Sequence, residues 1–221
     1  TFDPSHISVR DIELNAYVPR LSNDNYRVDI AHLSFAEASG FELKSLKAKL
    51  SANQSGAKAE GLSIRMPFTT LTFAPVQIEW AAFGKIAEAL DRRPIELSTA
   101  GVNTLCPADF SAFVPVLGNF PEVLSVELDA SGNSHGGEIH TFRLFDANAP
   151  ERLSLTVSGA VSEKTDSASL PTAVVRSLEL KATPDELLRR MPALPVGAKL
   201  RNTAATLGTI RLSATGSIEG N

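Results

Sequence analysis

At 221 residues, with 43% hydrophobic and 21% charged residues, the chain has ordinary globular usage and enough length to bury a core, which excludes a disordered or fibrous protein. Its net charge of −4 is spread without long runs of one sign, so the sequence carries no overall electrostatic footprint for nucleic acid or for anionic membrane surfaces. Cys106 is the single cysteine, so no internal disulfide staples the fold.

No stretch approaches the ~20 apolar residues that span a bilayer, and residues 1–20 lack a charged start followed by an apolar signal core. The sequence begins at Thr1, which reads as a mature form or an excised piece whose targeting and anchoring signals lie elsewhere.

Taken along the chain, most of the sequence alternates apolar and polar residues with period two, the pattern of strands that bury one face and wet the other. Tyr26, Val28 and Ile30 give way out of phase to Leu33 and Phe35. A bulge would return both sets to one face. Leu62, Ile64 and Met66 form the next face, and Leu71 and Phe73 change phase across Pro75 to Val76, Ile78 and Trp80. Leu153, Leu155, Val157, Gly159 and Val161 form a clean strand face. Val174, Arg176, Leu178 and Leu180 form another, with Arg176 as an exception, and Ile210, Leu212, Ala214, Gly216 and Ile218 close the series.

Turn residues punctuate these runs at 22–25, 38–40, 53–56, 131–134 and 146–150, a spacing that favours a meander. Three short helices are expected. The first lies near 81–91, with Phe83, Ile86, Ala87 and Leu90 at helical spacing, and the second near 107–117, with Phe110, Phe113, Val114 and Leu117. The third lies near 184–191, where Thr183 caps, Pro184 takes the first position and Glu186 completes a capping box. Laying Pro107–Leu117 on Pro184–Leu194 gives a weak internal repeat, the signature of an elongated protein. The expected fold class is therefore all-β with a few short helices. Its mostly antiparallel, elongated and curled sheet is organised as a β-rich unit over 1–105 and another over 106–221, or as one continuous domain.

Chemistry is sparse. His135 and His140 are the only neighbouring histidines. On a strand they fall on opposite faces, and on a helix the Gly136-Gly137 pair opposes the spacing that zinc needs, so a hairpin is the preferred reading. Cys106 precedes Pro107 at the mouth of a helix, where a depressed thiol pKa is conceivable, but a small buried side chain is the preferred use. No nucleophile elbow, P-loop or dinucleotide fingerprint occurs. Carboxylates such as Glu37, Asp91 and Glu186 stand singly in turns and helix starts. An enzyme therefore ranks last, and no catalytic residue, metal or cofactor is assigned.

Residues 27–50, running through Leu33-Ser34-Phe35 and the turn Ala38-Ser39-Gly40 into an alternating strand, resemble the strand–turn–strand units of TamB/AsmA-like envelope proteins, especially the Bacteroidetes TamB-like group. The segment from Gly61 to Leu71 resembles the next rung, Asp109–Pro115 the short helix that follows, and Leu212–Gly220 a strand that begins another rung. The resemblance implies a periplasmic, inner-membrane-anchored bridge, its anchor outside this chain. Its hydrophobic groove would carry phospholipid or other acyl chains in transport or outer-membrane biogenesis, with outer-membrane assembly proteins as candidate partners. Leu62, Ile64, Leu71, Phe73, Leu155, Val157, Leu178 and Leu180 are the expected groove residues. About twelve strands at ~4.8 Å would make a trough of about 55 Å. The second reading is a structural or adhesive β-sandwich module that binds protein partners and seals the same faces against each other.

Overall fold

The computed structural model describes residues 8–22, 25–82, 85–162, 172–186 and 208–218. Its strands are β1 (Val9–Ser22), β2 (Asn25–Glu37), β3 (Glu42–Asn53), β4 (Gly56–Arg65), β5 (Thr70–Thr72), β6 (Val76–Glu79), β7 (Ile95–Ser98), β8 (Thr104–Leu105), β9 (Leu124–Asn133), β10 (Gly136–Phe145), β11 (Leu153–Ser162), β12 (Thr172–Ala182) and β13 (Ile210–Ile218). They form one open antiparallel sheet in the order β1-β2-β3-β4-β5-β8-β9-β10-β11-β12-β13, with β6 added to β4 and β7 to β9. Eleven strands along this path span about 48 Å at ~4.8 Å per step. The all-β expectation holds, and the sheet runs unbroken past the boundary expected at residues 105 and 106.

Strand–turn–strand connectivity follows from turn chemistry. Asn53 Oδ1 accepts from the backbone N–H of Ser55 (2.8 Å) and Gly56 (3.0 Å). Asn133 Oδ1 accepts from His135 N–H at 2.9 Å and Asp146 Oδ1 from Asn148 N–H at 2.9 Å. Each is a side chain imitating a backbone turn. Between β9 and β10 the strand extends through Asn133, so the turn falls later than the 131–134 window.

The phase changes in the sequence are bulges. β2 carries one extra residue between Ile30 and Leu33, whose partners on β3 are Ala48 and Leu46. β4 carries one between Glu60 and Ser63, whose partners on β3 are Lys49 and Lys47, and Gly61 there adopts φ 61°, a left-handed conformation that glycine takes without steric cost. Across Pro75 the chain breaks into β5 and β6, which both pair with β4 and keep Leu71, Val76 and Ile78 on one face.

Two helix expectations change. The first is α1 (Ile86–Arg92), shorter and later than 81–91. The segment expected as an amphipathic helix near 107–117 is instead two 3-10 turns, Pro107–Phe110 and Pro115–Asn119. Pro115 has no N–H to donate into a continuing helix, and it restarts the chain as a separate turn. Residues 184–186 are helical. The remainder of the third expected helix, and with it the compared repeat, lies outside the described residues.

The two halves of the sheet meet at a narrow seam. β5 and β8 share one register pair, Thr70 with Thr104, and Phe73 bridges Thr99. Buried polar side chains stitch it. Asn103 Oδ1 accepts from Thr72 N–H at 2.5 Å while its amide donates to the Ala100 and Gly101 carbonyls. Thr69 Oγ1, fully buried, accepts from Cys106 N–H at 2.9 Å. Hydrogen bonds of this kind offset the desolvation cost of the buried polar groups that hold the seam.

Candidate functional site

Residues directly opposite in a β ladder share a face, so the register assigns every strand side chain. Leu14, Leu33, Leu46, Ile64 and Leu71 form one row across β1 to β5. Val126, Leu144, Leu155, Leu180 and Leu212 form another across β9 to β13, with Leu128, Phe142, Val157, Leu178 and Ala214 alongside it. The register pairs Thr70–Thr104 and Thr104–Ser125 put both sets of rows on the same face of the sheet. All eight expected groove residues lie on this face: Ile64, Leu71, Leu155, Val157, Leu178 and Leu180 within its rows, Leu62 two residues from Ile64, and Phe73 two from Leu71.

The exposure of this face separates a sealed core from an open one. Leu62, Ile64, Leu71, Leu155, Val157, Leu178 and Leu180 are half-buried, while Phe73 is buried. Toward the margins exposure rises, to 62% for Leu14 and 56% for Leu212. In a β-sandwich the facing sheet would bury such rows about 10 Å below a second layer. Among the described residues no second sheet stands over them.

Cover is local. At one end the 3-10 segment brings Phe113 edge-on to Phe41 with ring centroids 5.0 Å apart, and Phe41 packs on Phe35 at 6.0 Å. Leu43 and Met66 on one side of the seam and Cys106, Ala112 and Val126 beyond it are buried. Cys106 Sγ donates to the Pro121 carbonyl, and burial pushes its thiol pKa up. The thiol is a core group, as the preferred reading of the sequence had it. At the other end the apolar face sinks into a cavity of about 300 Å³, lined by Tyr26, Val28, Leu50, Val76, Ile78 and Ile95 among others. Ile95 lies on β7, so the depression crosses the seam.

The opposite face is polar. Arg143 pairs with Glu127 at 3.4 Å and lies 4.3 Å from the Phe145 ring centroid, and Lys58 pairs with Glu60 at 2.7 Å. Two further bulges shape it. His140 is an extra residue between Ile139 and Phe142. Arg176 is an extra residue between Val175 and Ser177, so Val175 takes the apolar-face position opposite Gly159 and Val174 pairs with Ala160 on the polar side. The assignment of Val174 and Arg176 to the apolar face is corrected. Arg176 instead ion-pairs with Glu138, whose carboxyl it holds below the usual range.

His135 sits in the β9–β10 turn, apart from His140, and the described residues contain no group of three or more metal-ligating side chains. His140 Nε2 lies 2.9 Å from Ser131 Oγ and its Nδ1 3.6 Å from Glu138 Oε1. The order is hydroxyl, imidazole, carboxylate, but the second distance exceeds a hydrogen bond and Arg176 already engages the carboxylate. No helix among the described residues is long and apolar enough to cross a membrane.

Sequence reading missed the Asn103 and Thr69 stitches, because an isolated polar residue in a loop carries no signal of its tertiary partner. No family model, no curated protein and no solved structure matches the chain.

Proposed function

We propose that this chain is a non-enzymatic segment of a periplasmic envelope protein whose apolar sheet face shelters phospholipid acyl chains, in lipid transport or outer-membrane biogenesis. The observation that carries the reading is the run of apolar rows from Leu14 to Leu212 on one face of an open sheet, half-buried at Leu62, Ile64, Leu71, Leu155, Val157, Leu178 and Leu180. A continuous apolar surface of this extent, rimmed by polar side chains, marks an interaction site. Its length of about 48 Å suits a long flexible chain better than a compact metabolite.

The test is native mass spectrometry of gently purified protein, combined with a photo-crosslinking residue at position 155. Co-purifying lipid with crosslinks to acyl chains is expected. Absence of both would overturn the reading.

A structural or protein-binding module is favoured by a different observation. The outer edge strand β1 is exposed along its whole length, with Ile12 at 65%, Tyr17 at 66% and Leu21 at 75%, and a long apolar edge is a template for strand addition. Crosslinks confined to β1 and carried by protein rather than lipid would select that reading.

A further inference from the structure

One part of the apolar face dips below the rest. The rows from Leu33 to Leu71 and from Leu144 to Leu212 consist of Leu and Ile throughout. Nearer the β3–β4 turn the side chains shrink and grow again across the sheet. Tyr26, Ala52, Ala57 and Ile78 stand in one row, and Val28, Leu50, Ala59 and Val76 in the next. Three alanines between bulky neighbours make a floor below two walls. This is where the cavity of about 300 Å³ lies, with Ile95 of β7 beyond β6 on its far side.

Its lining offers a ligand no charge. Ser51, Lys58 and Gln77 border it, but they stand in register with one another, which puts their side chains on the opposite face, where Lys58 turns to Glu60 at 2.7 Å. Apart from the Tyr26 hydroxyl, the side chains that line it are hydrocarbon. Polar groups are what fix a ligand's orientation and chemistry in a pocket, so the part of a ligand that fits here is hydrocarbon too.

Beside β6 the sheet is closed, since the Ala74 N–H donates to the Ser98 carbonyl at 2.9 Å and Phe73 bridges Thr99. An occupant therefore enters from the apolar side. The larger cavity of about 880 Å³ beside α1, on the other face, selects no charge, because Arg27, Lys58, Lys85, Arg92 and Arg93 are balanced by Asp29, Glu60, Glu79, Glu88 and Asp91. The head of an amphiphile remains in water above the apolar face.

A methylene takes about the volume of a water, roughly 30 Å³, so the depression of about 300 Å³ holds about ten carbons of one chain. We infer that it seats about ten carbons of a single alkyl chain, and that the remainder of a longer chain lies on the half-buried rows beside it. The inference rests on the acyl-chain reading above and adds the place where the chain is held most deeply.

The test is calorimetry of the whole chain with n-alkyl phosphocholines of about six to sixteen carbons, a range that brackets the expected length, each below its micelle threshold. Expected is an affinity that rises about three- to fourfold with each added methylene up to about ten carbons, as for full burial, and about twofold or less per methylene beyond. Ala57→Ile, which fills the floor, should weaken decyl phosphocholine at least tenfold, and Ala52→Val, a smaller addition to the same floor, should weaken it severalfold and carries the test if Ala57→Ile fails to fold. Ser51→Val, on the polar face, should leave it unchanged. One uniform slope through the longest chain, indifferent to both alanine substitutions, overturns the depression and leaves the acyl-chain reading standing. Affinity that stops rising at about ten carbons and falls in the alanine variants supports the depression and overturns the wider face as the place of the remaining chain. No binding at any length overturns both.

Discussion

Leu155→Arg places a charge in the middle of the apolar face, opposite Leu144 on one side and Leu180 on the other. Fully burying a leucine side chain is worth about 1.5–3 kcal/mol, and Leu155 is half-buried, so loss of its contacts costs about 1 kcal/mol. The strand preference of arginine adds at most about 1 kcal/mol more. At roughly 2–4 °C per kcal/mol for a chain of this size, the melting temperature should fall by about 2–8 °C, with the guanidinium remaining in water. Under a sealed second layer the same charge would be buried without a partner, at a cost of several kcal/mol, and the domain would unfold. Thermal unfolding followed by circular dichroism distinguishes the two, and native mass spectrometry of the same samples should show lipid occupancy several-fold below wild type. Thr156→Arg, one residue away on the polar face between Arg143 and Glu179, is the control and should leave lipid occupancy unchanged. A fall well beyond 10 °C for Leu155→Arg, or lipid occupancy equal to wild type, would refute the open face.

Gly159→Ala should destabilise by about 1–3 kcal/mol in urea titration, because an added Cβ collides with the Val174 carbonyl oxygen and comes within 3.4 Å of Val175 Cα, so the β11–β12 pairing must shift; an unchanged midpoint would show that the strands separate freely there. Cys106, with 0% exposure and a raised thiol pKa, should resist a thiol reagent such as Ellman's in the folded protein at pH 8 and react fully after unfolding; rapid labelling of the native protein would contradict its burial. Glu37 accepts from Ser39 N–H at 2.6 Å, from the Ser39 hydroxyl and from Ser8 N–H at 3.3 Å, and these bonds, the Ser39 hydroxyl first, hold its carboxyl below the ordinary 4.5. A depressed carboxylate stabilises the fold above its unfolded pKa and loses that contribution as pH falls through its folded value. The stability difference between wild type and Glu37→Gln should therefore be constant above pH 5 and shrink below about 4.5, and a difference that persists to pH 2 would rule out this role.

The alternation of β11 and β13 was readable because those strands advance one residue per face without interruption, and the turns at 53–56 and 146–150 because asparagine and aspartate cap them locally. The bulges divide by the signal each leaves. Ile30 and Leu33 are both large and apolar, so their odd spacing exposes the extra residue between them. At Arg176 the neighbours Val174 and Val175 are equally apolar, and strict period two chooses the wrong valine. The same odd spacing as at Ile30 and Leu33 separates Ile139 from Phe142 and marks His140 as the extra residue. The eight groove candidates were legible as members of one apolar face through their strands. The cavity of about 880 Å³ beside α1 was not, since it gathers Arg27, Lys58 and the charges of α1 from positions up to 66 residues apart, and only the closure of β6 and α1 over the β3–β4 turn brings them together.

The half-buried rows of the apolar face supply a further reason to expect an occupant. The polar face tolerates water through its ion pairs and hydroxyls, so the cost of exposure falls on the apolar face. Layered folds relieve that cost with a second sheet or with helices, and here the 3-10 segment covers only one end of the apolar face. No second sheet stands over the row from Leu144 to Leu212 among the described residues. An acyl chain is flexible along its length and indifferent to register, so it can fill half-buried rows of Leu, Val and Ala whose spacing changes at each bulge. A rigid partner strand could meet only the free edge of β1 or β13, and would leave the centre of the face wet. On the proposed reading an acyl chain would occupy the rows of Leu155, Val157, Leu178 and Leu180, with strand addition left to the edges.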